Sequence, residues 1–154
     1  MRSQLAKHLL GGEAFVPLEK LLPKIPFKKL GERPQKIPYS FYEVFYHVTY
    51  AQKDIIAYCL NNTYKAPNWP EDYWPKHRAP KSENEWENIQ QEYQQSLENI
   101  IHFLEDEKNE LNKPVKNSNT HSLLREILLL IEHKAYHTGQ LVLILRELNL
   151  YDKK

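Results

Sequence analysis

LLREILLLIEHKAYHTGQLVLILREL, residues 123–148, is the stretch on which the fold turns. Its apolar residues recur three and four apart with neither proline nor β-type alternation, so it reads as one long helix from about Thr120 to Leu148. Its wealth of leucine, isoleucine and valine predicts that it is the most buried element of the protein. In its middle, EHKAYHTGQ (132–140) sets His133 and His137 four positions apart.

That spacing alone is weak, because seven histidines in a chain of 154 residues produce such a pair by chance about a quarter of the time. Helix geometry adds more. At about 100° per residue, the two imidazoles fall within about 40° of each other, beside Glu126, Leu130, Leu141 and Ile144. Glu132, Gly139 and Arg146 point the opposite way, which makes Glu132 a poor general base for the pair. Two imidazoles at the margin of a packed face need hydrogen-bond partners or a metal to offset desolvation. A satisfied pair of core-edge histidines remains the plain alternative.

Three more helices precede this one. The first is expected from about Ser3 to Leu22, with Gly11-Gly12 marking a bend. The second, SFYEVFYHVTYAQKDIIAYCLNN, opens on Ser40 and Glu43 at capping-box spacing. The third opens on a second such pair, Ser82 and Glu85, and runs through WENIQQEYQQSLENIIHFLEDEKNEL. It lays Trp86, Ile89, Tyr93, Leu97, Ile100, Ile101 and Leu104 along one stripe. The pattern predicts an all-α four-helix bundle, 1–154 forming a single domain. Between the second and third helices, residues 63–81 form a long loop with four prolines, two tryptophans and two tyrosines. It is too long and too aromatic to be slack.

Composition narrows the partners. Basic and acidic side chains number 21 and 20, for a net charge of +1, and no segment concentrates Lys and Arg, so nucleic acid is not an expected partner. No run approaches the roughly 20 apolar residues that span a bilayer, and no signal peptide is evident. With the lone Cys59 in an apolar helical pattern, a reducing, cytoplasmic setting is expected and the thiol reads as buried and inert.

A metal held by His133 and His137 needs a third protein ligand. His121 lies about 120° from His133 and about 160° from His137 on the same helix, and His8, His77 and His102 sit on other segments. His47, on the second helix beside Val44 and Val48, is the strongest candidate. Glu43 and Asp54, four before and seven after it, are candidate acceptors that would orient its ring, although an ordinary solvated carboxylate is the commoner reading of each.

HLLGGEAFVPLEKLL, PYSFYEVFYHVTYAQKDI, PNWPEDYWP and LLREILLLIEHKAYHTGQLVLILREL together resemble the DinB/YfiT-like family, whose hallmark is one histidine on the second helix and an HxxxHxGQ run on the last. The resemblance implies a metal triad of His47, His133 and His137. Zn or Ni is the expected divalent ion, with Fe and Mn as further candidates. Around it, Trp74 with Asn68, Trp69 and Tyr73 would form a substrate wall, although aromatic packing over the bundle end is the commoner fate of such residues, and Gln140 would bond a ligand or another helix. Characterised relatives include bacillithiol-type S-transferases and mycothiol-dependent isomerases. The implied activity is therefore transfer of a low-molecular-weight thiol to an electrophilic small molecule. A non-catalytic metal-binding or structural bundle is the competing expectation, and a homodimer built on helix faces is expected with either.

Overall fold

The computed structural model describes residues 1–151. They are all-helical: α1 (Arg2–Leu10), α2 (Phe41–Leu60), α3 (Glu83–Glu105) and α4 (Leu123–Glu147), with short 3₁₀ turns between α1 and α2 and again in the loop after α2. Among the described residues no strand forms, only an isolated bridge between Pro114 and Ser122. α2 packs against α3 and α4, and α1 packs against the same two helices from the other side of the chain's order.

The first helix is shorter than its apolar pattern suggests. It stops at Leu10 because Gly11 and Gly12 adopt φ of 84° and 99°, a region open to glycine and costly for other residues. A Cβ at Gly11 would stand 3.0 Å from the Phe15 ring. Beyond it, residues 18–29 turn in 3₁₀ segments that still bury Leu18 and Leu21.

α2 begins as its sequence predicts. Ser40 Oγ accepts from the Glu43 amide (3.1 Å) while the Glu43 carboxylate accepts from the Ser40 amide (2.8 Å), satisfying two donors that the helix leaves free. The same carboxylate also accepts from Nε and Nη2 of the Arg33 guanidinium, which ties the incoming segment to the helix start. Arg33 and the Ser40 groups outweigh burial and hold Glu43 below the usual carboxylate range.

At α3 only half of the expected box forms. Ser82 Oγ accepts from the Glu85 amide, but the Glu85 carboxylate turns to the Lys81 amide and the Tyr42 hydroxyl instead. α3 also ends at Glu105, short of Leu111. Side chains take over the end of the helix: Arg2 donates to the Leu104 and Asn109 carbonyls, and Asn109 Nδ2 to the Phe103 carbonyl. Carbonyls satisfied in this way no longer need another turn.

α4 starts at Leu123, capped by Ser122 Oγ on the Arg125 amide. It is not the most buried helix. Twelve of the 20 residues of α2 are buried, against ten of the 25 of α4, because one side of α4 leaves Leu128, Tyr136 and Leu143 in solvent. The third-helix stripe does pack inward, with Tyr93, Leu97, Ile100 and Leu104 fully enclosed. Cys59 is buried, and burial pushes its thiol up to about 12, so it stays protonated and inert at neutral pH. No helix among the described residues is long and apolar enough to cross a membrane.

Candidate metal centre

The pairing of α2 with α4 brings His47 against His133 and His137. Ligand-capable ring nitrogens of the three all lie within 4.8 Å of one another. His47 Nε2 stands 3.0 Å from His133 Nε2, and the ring centroids are 4.4 to 5.0 Å apart. His47 is 3% exposed and His137 6%, while His133 is half-buried. The other histidine of α4's approach, His121, is engaged elsewhere, with Nδ1 3.1 Å from the Tyr58 hydroxyl.

The outer nitrogens of two rings are taken. His47 Nδ1 lies 3.3 Å from the carbonyl oxygen of Tyr73, and His137 Nδ1 lies 2.7 Å from Gln140 Oε1. Both partners are acceptors, so each Nδ1 carries the proton and each Nε2 is left with a free lone pair. That is how a metal-binding histidine is oriented. Burial keeps the rings neutral as well. His47 is lowered to about 4 by burial and then by His137, with partial recovery from the Tyr73 carbonyl. His133 is lowered to about 3 by burial and its two neighbours, and burial also lowers His137, against the pull of Gln140.

Neutral imidazoles that aim unprotonated nitrogens into one small space repel each other unless a proton or a cation lies between them. A divalent ion removes that repulsion, and the donor set suits it: two imidazoles with fixed tautomers, a third within reach, and no carboxylate in the group. Glu132 is solvent-exposed, on the opposite side of α4 from His137.

Of the residues expected around the triad, Tyr73, Trp74 and Gln140 touch it directly. Trp74 stacks on the His47 ring (4.3 Å, 6°) and is itself backed by Tyr39 (4.9 Å, 15°). His47 turns to neither of the two carboxylates expected to orient it. Glu43 is committed to the start of α2 and to Arg33. Asp54 accepts from the Tyr64 and Tyr73 hydroxyls (2.9 and 2.5 Å), and so meets His47 only through Tyr73. Asn68 bonds locally to Asp72.

The loop between α2 and α3 thus lies over the triad. Trp69 is edge-on to His47 at 6.2 Å and 67% exposed. From the other side, Tyr136 stands edge-on to His137 at 4.9 Å and is 66% exposed. Two aromatic faces open to solvent therefore flank the imidazoles.

Sequence reasoning missed the Tyr73 carbonyl, the Tyr64 hydroxyl and Tyr39, since backbone acceptors and loop partners leave no periodic trace. It also missed Lys134. This lysine is buried beside His133, donates to the Leu9 carbonyl (2.8 Å) and sits 5.0 Å from the Tyr93 ring centre. Its position on the apolar side of α4 was the available signal.

The sequence model of the DinB family matches residues 16–149. No curated protein and no solved structure gives a significant match. The family match spans α2, α3 and α4 whole, with all three histidines, and by it the chain belongs to the DinB family.

Proposed function

We propose that His47, His133 and His137 hold a divalent metal ion and that the protein is a metal-dependent enzyme acting on small molecules. The observation that carries this reading is the trio of neutral imidazoles on two helices, two of them with Nδ1 already committed to an acceptor. Zn or Ni fits a nitrogen donor set best, with Fe and Mn as further candidates.

A divalent ion bound by three neutral imidazoles supplies Lewis acidity that makes a thiol or water easier to deprotonate at neutral pH. The protein's own residues do the rest. Gln140 and the Tyr73 carbonyl fix two rings, Trp74 shields His47 from water, and the exposed faces of Trp69 and Tyr136 offer an apolar approach for an organic substrate. Among the described residues no carboxylate joins the three histidines to act as general base, which favours a reaction whose nucleophile is already acidic, such as a thiol. We therefore read the activity as transfer of a low-molecular-weight thiol to an electrophile.

The test is metal content of untagged protein followed by a conjugation assay with several low-molecular-weight thiols and monochlorobimane. About one metal per chain, lost in His133→Ala, together with metal-dependent conjugation, is the expected result. Near-zero metal in both proteins removes the site. Metal without turnover for any thiol leaves the non-catalytic metal-binding reading in its place.

A second copy of the chain is the partner we propose for α4. Leu128 and Leu143 form an exposed apolar line on its outer side, and Gly139 on the same side has nothing within 4 Å of where a Cβ would be. Sedimentation of wild type against Leu143→Glu tests this. A wild-type dimer that dissociates in the variant is expected, and a monomeric wild type would exclude it.

A further inference from the structure

Tyr73 is bonded at both ends. Its hydroxyl donates to Asp54 Oδ2 at 2.5 Å, and its backbone carbonyl lies 3.3 Å from His47 Nδ1. His47 and Asp54 are seven residues apart on α2, two turns along the same side of the helix. One loop residue therefore spans the helix face from the carboxylate to the imidazole. Asp54 receives a second loop hydroxyl from Tyr64 at 2.9 Å, so its two oxygens hold the loop at points nine residues apart in sequence. The next residue after Tyr73 is Trp74, whose ring lies on His47. The loop's grip on the imidazole, by carbonyl and by stacking, is thus anchored in Asp54.

We propose that Asp54 is a positioning residue for His47: acting through the Tyr73 hydroxyl, it sets the place of the Tyr73 carbonyl and with it the orientation and tautomer of the imidazole. A charged acceptor is suited to this task, because hydrogen bonds to a carboxylate are about twice as strong as neutral ones. The loop carries no helix or strand of its own beyond one 3₁₀ turn at Glu71–Tyr73, so side-chain anchors must supply its order. For its functional consequence the inference rests on the metal-site reading.

The experiment reads the two separately. Metal-free, ¹⁵N-labelled protein is recorded at pH 7.5 for the histidine side-chain tautomers, and Co²⁺ is then titrated by its absorption. Tyr73→Phe keeps the ring and the carbonyl and removes only the hydroxyl. In Tyr73→Phe and Asp54→Ala, His47 is expected to lose its defined Nδ1–H tautomer and Co²⁺ affinity to fall about tenfold, the effect typical of residues that orient metal-binding imidazoles. The double variant should be no worse than Asp54→Ala alone, since that variant already removes the Tyr73 bond along with the Tyr64 one. Asp54→Asn, which retains an acceptor oxygen, should recover part of the loss, and it carries the test if Asp54→Ala does not fold.

An unchanged His47 tautomer with wild-type Co²⁺ affinity in Tyr73→Phe overturns the proposal, as do losses that add in the double variant. If wild-type protein takes up no Co²⁺, the metal reading fails, and the tautomer in the metal-free variants still decides the role of Asp54.

Discussion

Trp74 lies flat on His47, the two ring centres 4.3 Å apart and the planes within 6°. An indole over an imidazole excludes water from one whole face of the ring, and burial is the main reason that His47 is lowered to about 4. Trp74→Ala should return the His47 pKa towards the ordinary histidine range in metal-free protein. It should also cost about 2 kcal/mol of stability through the lost stacking and apolar area, and speed metal loss to a chelator. A histidine NMR titration and the rate of metal release check it. An unmoved His47 titration would mean that the tryptophan is not what keeps the ring dry.

The triad makes the metal-free protein acid-sensitive within a stated window. The folded-state pKa values of His47 and His133 are depressed to about 4 and about 3, below the roughly 6.5 of an unfolded histidine. Between those values and 6.5 the unfolded chain binds more protons than the folded one, so stability is full above pH 6.5 and is lost as pH falls from there towards 4 and then 3. Denaturant midpoints at pH 7.5, 6, 5 and 4.5 should decline in that order. Replacing both histidines with glutamine should flatten the decline.

Much of this architecture was legible beforehand, and the misses share a cause. The starts of α2 and α3 were marked by serine caps, since capping depends on residues three apart, whereas α4 begins at Leu123 on Ser122 and not at the expected Thr120. The ends were harder, because Gly11-Gly12 and the Arg2–Asn109 contacts terminate α1 and α3 by backbone sign and by a residue about a hundred positions away. The three histidines could be picked out because helical spacing fixes which side of α4 two of them share. The roles of Asp54 and Glu43 could not, because spacing along α2 places both carboxylates near His47 and cannot tell that Arg33 captures one and two loop tyrosines the other.

Lys134 is a buried cation that has, among the described residues, no carboxylate in hydrogen-bond contact. Its ammonium is satisfied by the Leu9 carbonyl at the end of α1 and by the Tyr93 ring, and burial lowers it to about 8. Lys134→Ala should cost about 3 kcal/mol, since it leaves a cavity and removes the donor from a carbonyl at a helix end. Lys134→Met should cost roughly half that, because it fills the space and removes the desolvated charge along with the bond. Urea unfolding of the three proteins gives the ranking. Equal losses in both variants would show that packing around the stem is irrelevant.

Gln140 offers the sharpest separation of site from scaffold. Its amide oxygen is 2.7 Å from His137 Nδ1, one turn along α4, on a half-buried side chain whose loss opens no large cavity. Gln140→Leu removes the acceptor while keeping length and helix propensity, so the melting temperature of metal-free protein should change little. Metal affinity should drop by about 10-fold to 100-fold, because His137 is then free to carry its proton on either nitrogen. Gln140→Glu should do the reverse: a carboxylate accepts the Nδ1–H more strongly, makes Nε2 a better donor, and should tighten binding at pH 7.5. Competition titrations against a chromophoric chelator order the three proteins. An order other than glutamate, glutamine, leucine would mean that His137 reaches the metal through the nitrogen now facing Gln140.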